Sequence, residues 1–394
     1  MSAPRTIAVV QFSGKLSGST ISSRLVGRAL RDGGDRVDFL FGFSGVFHER
    51  AQEEGFECSV VEHGNWLRAG GGLRFFRNFW KERQRAADFR RHFTELKPDL
   101  VYVNTLVSYA AAKAAADLGI PVIWHLRELF CDAAGELVPP PWLGKPWVAR
   151  TIRRLSRRTV APSSAVSRNI FGEESLPTHS LVPNAIDVGE FESSPPAAAA
   201  RAALKLPADV PIVAVVGTFR PVKGQDVLVR AIPSILRSAP QAVFVFAGYI
   251  LSFCDEVKRL AAELGVSECC HFLGEVSEIS NLYAAADMIC IPSRSESFGR
   301  SAVEAFAAGR PVVGSRVGGL LDILRDGENS FTFESEDSNG LAAGVIRMLK
   351  ASDQERQKLV DTGSQDVRDH YSEAAHARAI RSVVNDVLSS SQNG

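Results

Sequence analysis

The sequence is short of the features that would assign it at a glance. None of its six cysteines, Cys58, Cys131, Cys254, Cys269, Cys270 and Cys290, forms a C-x-x-C pair, and most fall in apolar runs. That excludes the usual zinc-ligand spacing and points to buried thiols in a reducing compartment rather than to a disulfide framework. Neither charge is in excess: Lys+Arg and Asp+Glu both number 45. No overall field therefore draws the chain to nucleic acid, and no recognised nucleic-acid-binding module is present. No apolar run approaches the roughly eighteen residues that a spanning helix needs. The run at 7–12 is too short for a signal-peptide core and reads as a first strand. No D-x-D triplet and no zinc-type cluster occurs, so the expected chemistry needs no metal and no cofactor. G-x-G-x-x-G is also missing, which removes the dinucleotide fingerprint.

What is present fits an ordinary soluble globular chain. At 394 residues, 45% hydrophobic and 23% charged, it has room for two or three domains with separate cores. Short apolar runs at 7–12, 37–41, 58–61, 100–103 and 121–126 alternate with helical patterns. Two more strands are expected at 160–163 and 180–182. The pattern then restarts, with strands at 210–217, 242–248, 270–274, 288–291 and 311–313, and helices at 225–237, 338–350, 354–369 and 374–388. Apolar strands alternating with helices imply parallel sheets covered on both faces. Ligands of such sheets bind beyond the carboxyl ends of the strands. The stretch S-S-P-P-A-A-A-A at 193–200 is the clearest linker candidate and passes into a short helix.

Several segments have both a plain and a functional reading. After the first strand, Gly14 and Gly18 stand among Ser13, Ser17, Ser19 and Thr20, as a simple turn or as a loop facing a ligand. Residues 66–93 interleave Arg68, Arg74, Arg77, Lys81, Arg83, Arg85, Arg90 and Arg91 with Trp66, Phe75, Phe76, Phe79, Trp80, Phe89 and Phe93. Such a basic aromatic helix packs its rings on a sheet with its arginines solvated, or lies on an anionic membrane surface. A second basic patch, with Arg150, Arg153, Arg154, Arg157 and Arg158, follows Trp142 and Trp147.

The stretch 292–322 organises the chain. Glu296 and Glu304 bracket a Phe298-Gly299 turn that opens a helix. The Gly299, Arg300 and Ser301 amides at that helix start suit a phosphate, and a carboxylate accepts two hydrogen bonds from a vicinal diol. Two carboxylates flanking an anion site suggest a nucleotide sugar; the plain reading is surface acids on a βα unit. Upstream, Arg220 and Lys223 lie in the strand-to-helix loop T-F-R-P-V-K-G-Q-D, where two cations can meet a diphosphate.

The run E-S-F-G-R-S-A-V-E, with G-T-F-R-P-V-K-G upstream, resembles the E-x7-E signature of the retaining glycosyltransferases of family 4. The resemblance runs from about Ile7 to about Tyr371 and is strongest between Val213 and Phe333. It implies an α/β fold of GT-B type, two Rossmann-like domains with parallel sheets facing a central cleft. It implies a nucleotide-diphosphate-sugar donor and a glycan, lipid-linked or small-molecule acceptor. The expected domains are 1–192 on the acceptor side and 193–370 for the donor, with a helix at 371–394 returning to the first domain. By position, Glu296 contacts the donor sugar and Glu304 the ribose. Lys223 and Arg220 face the diphosphate; Arg220 lies two residues beyond the usual arginine, whose place Thr218 takes. His125, at the end of P-V-I-W-H, matches a histidine near the reacting sugar, with Arg127 and Glu128 beside it. Gly18, Gly217, Phe298, Gly299, Arg300 and Ser301 complete the donor site. Gly274 and Val276 belong to the loop at the base. V-P-N-A-I-D, with Asn184 and Asp187, matches a structural turn at the domain junction. The resemblance further implies metal-independent transfer with retention, by a front-face route in which the leaving phosphate helps deprotonate the acceptor. The expected place is the cytoplasm, with peripheral contact at the inner face of the membrane through 66–93. The rivals are another GT-B sugar-nucleotide chemistry, such as epimerisation, hydrolysis or phosphorolysis, and a silent nucleotide-sugar-binding subunit.

Overall fold

The structure is a computed structural model and describes residues 4–15, 18–67, 72–130, 137, 143–173 and 178–391. Ser17, Arg68, Cys131 and Trp142 lie outside the described residues, as does the side chain of Arg74. The chain forms two compact units, Met1–Ala185 with Glu373–Gly394, and Ile186–Ser372.

The first unit alternates strands and helices: β1 (Thr6–Gln11), α1 (Gly18–Arg31), β2 (Arg36–Phe41), α2 (Val46–Glu53), β3 (Glu57–Val60), α3 (Gly72–Leu96), β4 (Leu100–Asn104), α4 (Tyr109–Asp117), β5 (Val122–His125), α5 (Gly144–Leu155), β6 (Arg158–Ala161), α6 (Ser164–Phe171) and β7 (His179–Leu181). The strands form one parallel sheet in the order β3-β2-β1-β4-β5-β6-β7. Strand order reverses beside β1, where Ile7 pairs with Val37 on one side and Leu100 on the other. Ile7, Ala8, Val9 and Val10 are all fully buried. That is why these strands read as continuous apolar runs rather than alternating ones. The helix Glu373–Ser391 belongs to this unit. It sets Ile380, Val384 and Val387 into the same core as Val26 and Leu30 of α1, and Arg5 Nη1 donates to Asn385 Oδ1 at 2.7 Å.

α3 uses its aromatics in two ways. Phe75, Phe89 and Phe93 are buried, as is Trp66 just before the helix, whereas Phe76 is 49% and Trp80 63% exposed. Inside, Trp66 stacks on Tyr109 at 5.0 Å, and its Nε1 donates to Leu106 O at 2.9 Å.

The second unit contains α7 (Val188–Glu192), α8 (Ala197–Ala203), β8 (Ile212–Val216), α9 (Gln225–Leu236), β9 (Val243–Ala247), α10 (Phe253–Glu263), β10 (Cys270–Gly274), α11 (Ile279–Ala285), β11 (Met288–Ile291), α12 (Arg300–Ala307), β12 (Val312–Ser315), α13 (Leu320–Ile323), β13 (Phe331–Phe333), α14 (Ser338–Lys350) and α15 (Asp353–Asp366). Its sheet has the order β10-β9-β8-β11-β12-β13, again reversing beside its first strand.

The division between the units falls after Ala185, earlier than the expected boundary after Glu192. The expected linker at 193–200 runs inside the second unit. Pro196 stands at the N-terminus of α8, and the alanines behind it form a helix instead of a tether. Arg201 fixes that helix by donating from Nε to Ala285 O at 2.9 Å and from Nη2 to Asp287 Oδ2 at 2.8 Å. The edge strand β13, three residues long, has no counterpart among the strands expected from sequence.

Candidate functional site

In the second unit the carboxyl ends of β8 and β11 bring two distant stretches together. β8 ends at Val216, and the chain continues through Gly217 and Arg220 into a single 3-10 turn, Pro221–Lys223. Lys223 Nζ lies 2.6 Å from Glu296 Oε1, joining positions far apart in sequence. Ser293 Oγ donates to the same oxygen at 2.8 Å. Glu296 is 8% exposed, so its carboxylate is oriented by these two donors rather than by solvent. Arg294 ties the loops themselves. It donates to both Asp226 oxygens at 2.8 Å, to Pro221 O at 2.5 Å and to Glu336 at 2.6 Å. These bonds, the Asp226 one foremost, raise its pKa further.

Beyond Glu296 the chain makes the turn that α12 needs. Gly299 has φ 109°, and a Cβ there would lie 2.5 Å from Leu320 Cδ2. Gly318 passes so close that a Cβ would meet Glu296 O at 2.1 Å. Only glycine permits that approach at its φ of 51°. Glu304, 7% exposed, lies one turn into α12. Arg300 Nε donates to its Oε1 at 2.6 Å and Tyr283 OH to its Oε2 at 2.7 Å. Burial, reinforced by Glu304, pushes the Tyr283 phenol well above its ordinary pKa, so it remains a donor. Phe298 turns inward, 4% exposed and edge-on to Tyr371 at 5.9 Å. Ser301 is half-buried in the first turn of α12. Gly274 ends β10 and accepts from Gly248 N at 2.8 Å, and Val276 is half-buried against the core. Arg220 is half-buried and extended, directly before the 3-10 turn.

In the first unit the corresponding strand ends hold a buried polar network. His125 is fully buried. Its Nδ1 lies 2.6 Å from Tyr102 OH and 3.1 Å from Arg127 Nη2. Arginine can only donate, so Nδ1 is an acceptor and the proton sits on Nε2, which has no partner among the described residues. Burial, then the Arg127 charge, hold His125 well below its ordinary pKa, so it is a neutral donor. Arg127 Nε donates to Asn104 Oδ1 at 2.5 Å, and its Nη1 to Asn184 Oδ1, which also accepts from Ser22 Oγ at 3.2 Å. Glu128 accepts from Leu106 N at 2.9 Å and Arg127 N at 3.2 Å. Thr105, at the end of β4, has φ 91°, an outlier for a β-branched residue. Asp187 caps α7 through Gly189 N at 3.0 Å.

Gly18 is exposed at the first position of α1, and a Cβ there would meet nothing within 4 Å. The close approach belongs to Gly14, where a Cβ would lie 2.5 Å from Phe43 O. Sequence reasoning also missed Tyr283, Ser293 and Arg294 in the second unit, and Tyr102 in the first. The only signal for them is their spatial neighbour, which no local spacing reveals. Among the described residues no group of three or more His, Cys, Asp or Glu is placed to hold a metal ion.

Two parallel-sheet α/β units, each with its polar cluster at the carboxyl ends of the strands, define the GT-B type of fold. Solved structures agree. Anabaena HepE in complex with UDP-glucose superposes with a TM-score of 0.80 at 20% identity, over 97% of this chain and 99% of that one. A glycosyltransferase from Rickettsia africae gives 0.83 at 17% identity, over 98% and 99%. Residues 197–366 match the family model for glycosyl transferases group 1, and residues 17–175 that for the glycosyl transferase 4-like domain. The chain belongs to the glycosyltransferase family built from these two domains. Among curated relatives, the D-inositol 3-phosphate glycosyltransferase of Nocardia farcinica is 40% identical over 41% of this chain and 37% of its own length. That of Streptomyces scabiei is 32% identical over 61% of this chain and 57% of its own. The chain thus spans less than two thirds of the length of these relatives.

Proposed function

We propose that the protein transfers a sugar, with retention and without a metal, from a nucleotide-diphosphate sugar to a glycan, lipid-linked or small-molecule acceptor. The observation that carries this reading is the pairing of Lys223 with Glu296 at 2.6 Å, beside Glu304 held by Arg300 and Tyr283. A diphosphate entering this loop shares Lys223 with Glu296. Negative charge grows on the leaving phosphate as the glycosidic bond breaks. Lys223, Arg220 and the start of α12 suit that charge, and aimed charges of this kind supply the largest rate term in many enzymes. Glu296 is then set to orient sugar hydroxyls and Glu304 to take a ribose diol. In the first unit, the free Nε2–H of His125 gives it a positioning role as a donor. The HepE structure in complex with UDP-glucose supports a nucleotide-sugar donor, and the curated relatives are named D-inositol 3-phosphate glycosyltransferases. A phosphorylated small molecule is the acceptor those names suggest.

Calorimetry with UDP, GDP and their sugars tests the donor site, first without metal and then with magnesium. The expected result is metal-independent binding of one nucleotide, lost in Lys223→Ala and Glu304→Ala. Absence of binding by every nucleotide would return the resemblance to one of fold. The anomeric configuration of the product, read by NMR, tests retention.

A second reading concerns place. Phe76 and Trp80 stand one turn apart on α3, exposed, among Arg77, Lys81 and Arg83, which are exposed too. We infer peripheral attachment to an anionic membrane, at its cytoplasmic face, through this patch. Sedimentation with phosphatidylserine vesicles should retain the wild-type protein and release Trp80→Ala. Equal sedimentation of the two would remove the patch from the argument.

A further inference from the structure

A cavity of about 660 Å³ lies within the second unit, inside the range of small-molecule sites, roughly 300 to 1,000 Å³. It borders the amino ends of the strands, the end of the sheet opposite to Lys223 and Glu296. Val210 and Pro211 lead into β8, Asp287 and Met288 open β11, and Arg310 and Pro311 lead into β12. The length of these strands separates it from the donor loops, roughly 15 Å at the usual rise of a strand residue. Its floor is fixed by backbone bonds. Asp287 N donates to Ile212 O at 2.9 Å, Ile212 N to Asp287 Oδ2 at 2.7 Å, and Ile289 N to Pro311 O at 2.9 Å. α15 closes one side with Arg356, Gln357 and Val360.

The three arginines of the cavity differ in what they have left to give. Arg201 is spent. Besides its bonds to Ala285 and Asp287, its Nη1 donates to Ala208 O at 2.5 Å and to Val210 O at 3.2 Å. Arg356 donates from Nη1 to Ala351 O at 2.9 Å and from Nη2 to Asp353. Arg310 is different. Its Nε is buried with no partner among the described residues. Burial lowers its pKa from the ordinary arginine value, with Asp287 acting the other way, and a guanidinium stays charged. The backbone alone holds it in place: Arg310 N donates to Ala305 O at 2.8 Å, just beyond Gly309, whose φ is 64°. A buried charged donor without an acceptor is costly, and a ligand oxygen would satisfy it.

The lining decides which anion fits. Against the three arginines stand three carboxylates, Asp209, Asp287 and Asp353. Arg201 pairs with Asp287 and Arg356 with Asp353. Arg310 and the exposed Asp209 remain. A multiply charged phosphate would gain one guanidinium and face three carboxylates. A carboxylate has the single charge and the planar pair of oxygens that one guanidinium matches. Val210, Pro211, Leu349 and Val360 give an apolar wall for the rest of the molecule.

We propose that this cavity binds a small organic monocarboxylate with an apolar body, held through Arg310. The carboxylate accepts from the Arg310 guanidinium, and the body lies against Val210, Pro211, Leu349 and Val360. The site is separate from the donor loops and does not rest on the glycosyl-transfer reading.

The experiment is calorimetry on the full chain with benzoate as probe, against benzamide, acetate and phenyl phosphate. Benzoate should bind about tenfold or more tightly than benzamide, as expected for charge-assisted hydrogen bonds to a guanidinium. It should also bind more tightly than acetate, which lacks the apolar body. The preference over benzamide should vanish in Arg310→Gln. Val360→Trp, which fills the cavity from α15, should weaken benzoate and benzamide alike, with unchanged circular dichroism. Lys223→Ala should leave benzoate binding as it is. The proposal is overturned by benzoate binding no tighter than benzamide or acetate, by phenyl phosphate binding tighter than benzoate, or by unchanged benzoate binding in Arg310→Gln. Benzoate binding lost in Lys223→Ala and kept in Arg310→Gln would put the anion in the donor loops and overturn it as well. UDP and GDP are titrated on the same samples. If neither binds while benzoate still binds through Arg310, the donor reading falls and the cavity assignment stands.

Discussion

The two units share a sheet plan but spend their polar residues differently. At the strand ends of the second unit the polar groups are charged and paired: Lys223 with Glu296, Arg300 with Glu304, Arg294 with Asp226. At those of the first unit they are mostly neutral and sunk in the core, with Tyr102, Asn104, His125 and Asn184 gathered around Arg127. Paired charges can be shared with an incoming diphosphate at modest reorganisation. A buried neutral network cannot be recharged cheaply, so it holds shape. The second unit thus sets charged pairs at its strand ends, and the first a buried, mostly neutral network.

The sharpest break of this contrast is kinetic. Glu296→Gln and Lys223→Ala should each lower donor turnover by roughly a hundredfold or more, the scale of losing one aimed electrostatic group, with unchanged circular dichroism. Wild-type turnover in both would sink the assignment of chemistry to this unit.

Acid comes next in size. Burial pushes His63 and His376 down to about 4, from an ordinary 6.5. The unfolded chain takes up these protons near 6.5 and the folded unit only near 4. The unfolded state therefore binds more protons across that window, and stability falls as pH falls. Each histidine can remove at most roughly 3 kcal/mol by pH 4. All five tryptophans lie between 66 and 147, so tryptophan emission reports the first unit alone. It should shift between pH 6 and 4, ahead of the loss of overall helicity read by circular dichroism. Coincident transitions would mean that the histidines do not set the acid limit.

The smallest effect sharpens the contrast from the other side. Tyr283→Phe deletes one bond to Glu304 and leaves its pairing with Arg300. Nucleotide affinity should drop by about fivefold to tenfold, the scale of one ordinary hydrogen bond, since Tyr283 acts only through Glu304. A larger loss would mean that Tyr283 carries more of Glu304's orientation than Arg300 does.

Legibility in the sequence follows the same divide. Strands buried on both faces, such as Ile7 to Val10, announce themselves by unbroken apolar runs. β13 does not, because three residues with Thr332 in the middle carry no period. The linker expected at 193–200 was misplaced because alanine after two prolines is compositionally a tether but physically a good helix. The two glutamates and Lys223 were visible because each stands in a compact motif beside glycines that its turn requires. Tyr283, Tyr102 and the cavity residues were not. Lys15, Phe43 and Asn65, which line a cavity of the first unit, come from separate segments, each unremarkable alone, and only the sheet edge brings them together.

The helix Glu373–Ser391 completes the first unit although it is made after the second. Until it leaves the ribosome, Val26 and Leu30 of α1 lack the apolar cover that Ile380, Val384 and Val387 provide. The second unit has by then its whole sequence, and Ile186 already bridges Ser372 at its two ends. Synthesis order and folding order are therefore inverted: the unit begun first must wait for the one begun second. A ribosome stalled just before Glu373 would hold the whole sequence of the second unit and a first unit whose α1 still shows the apolar face that these nineteen residues cover.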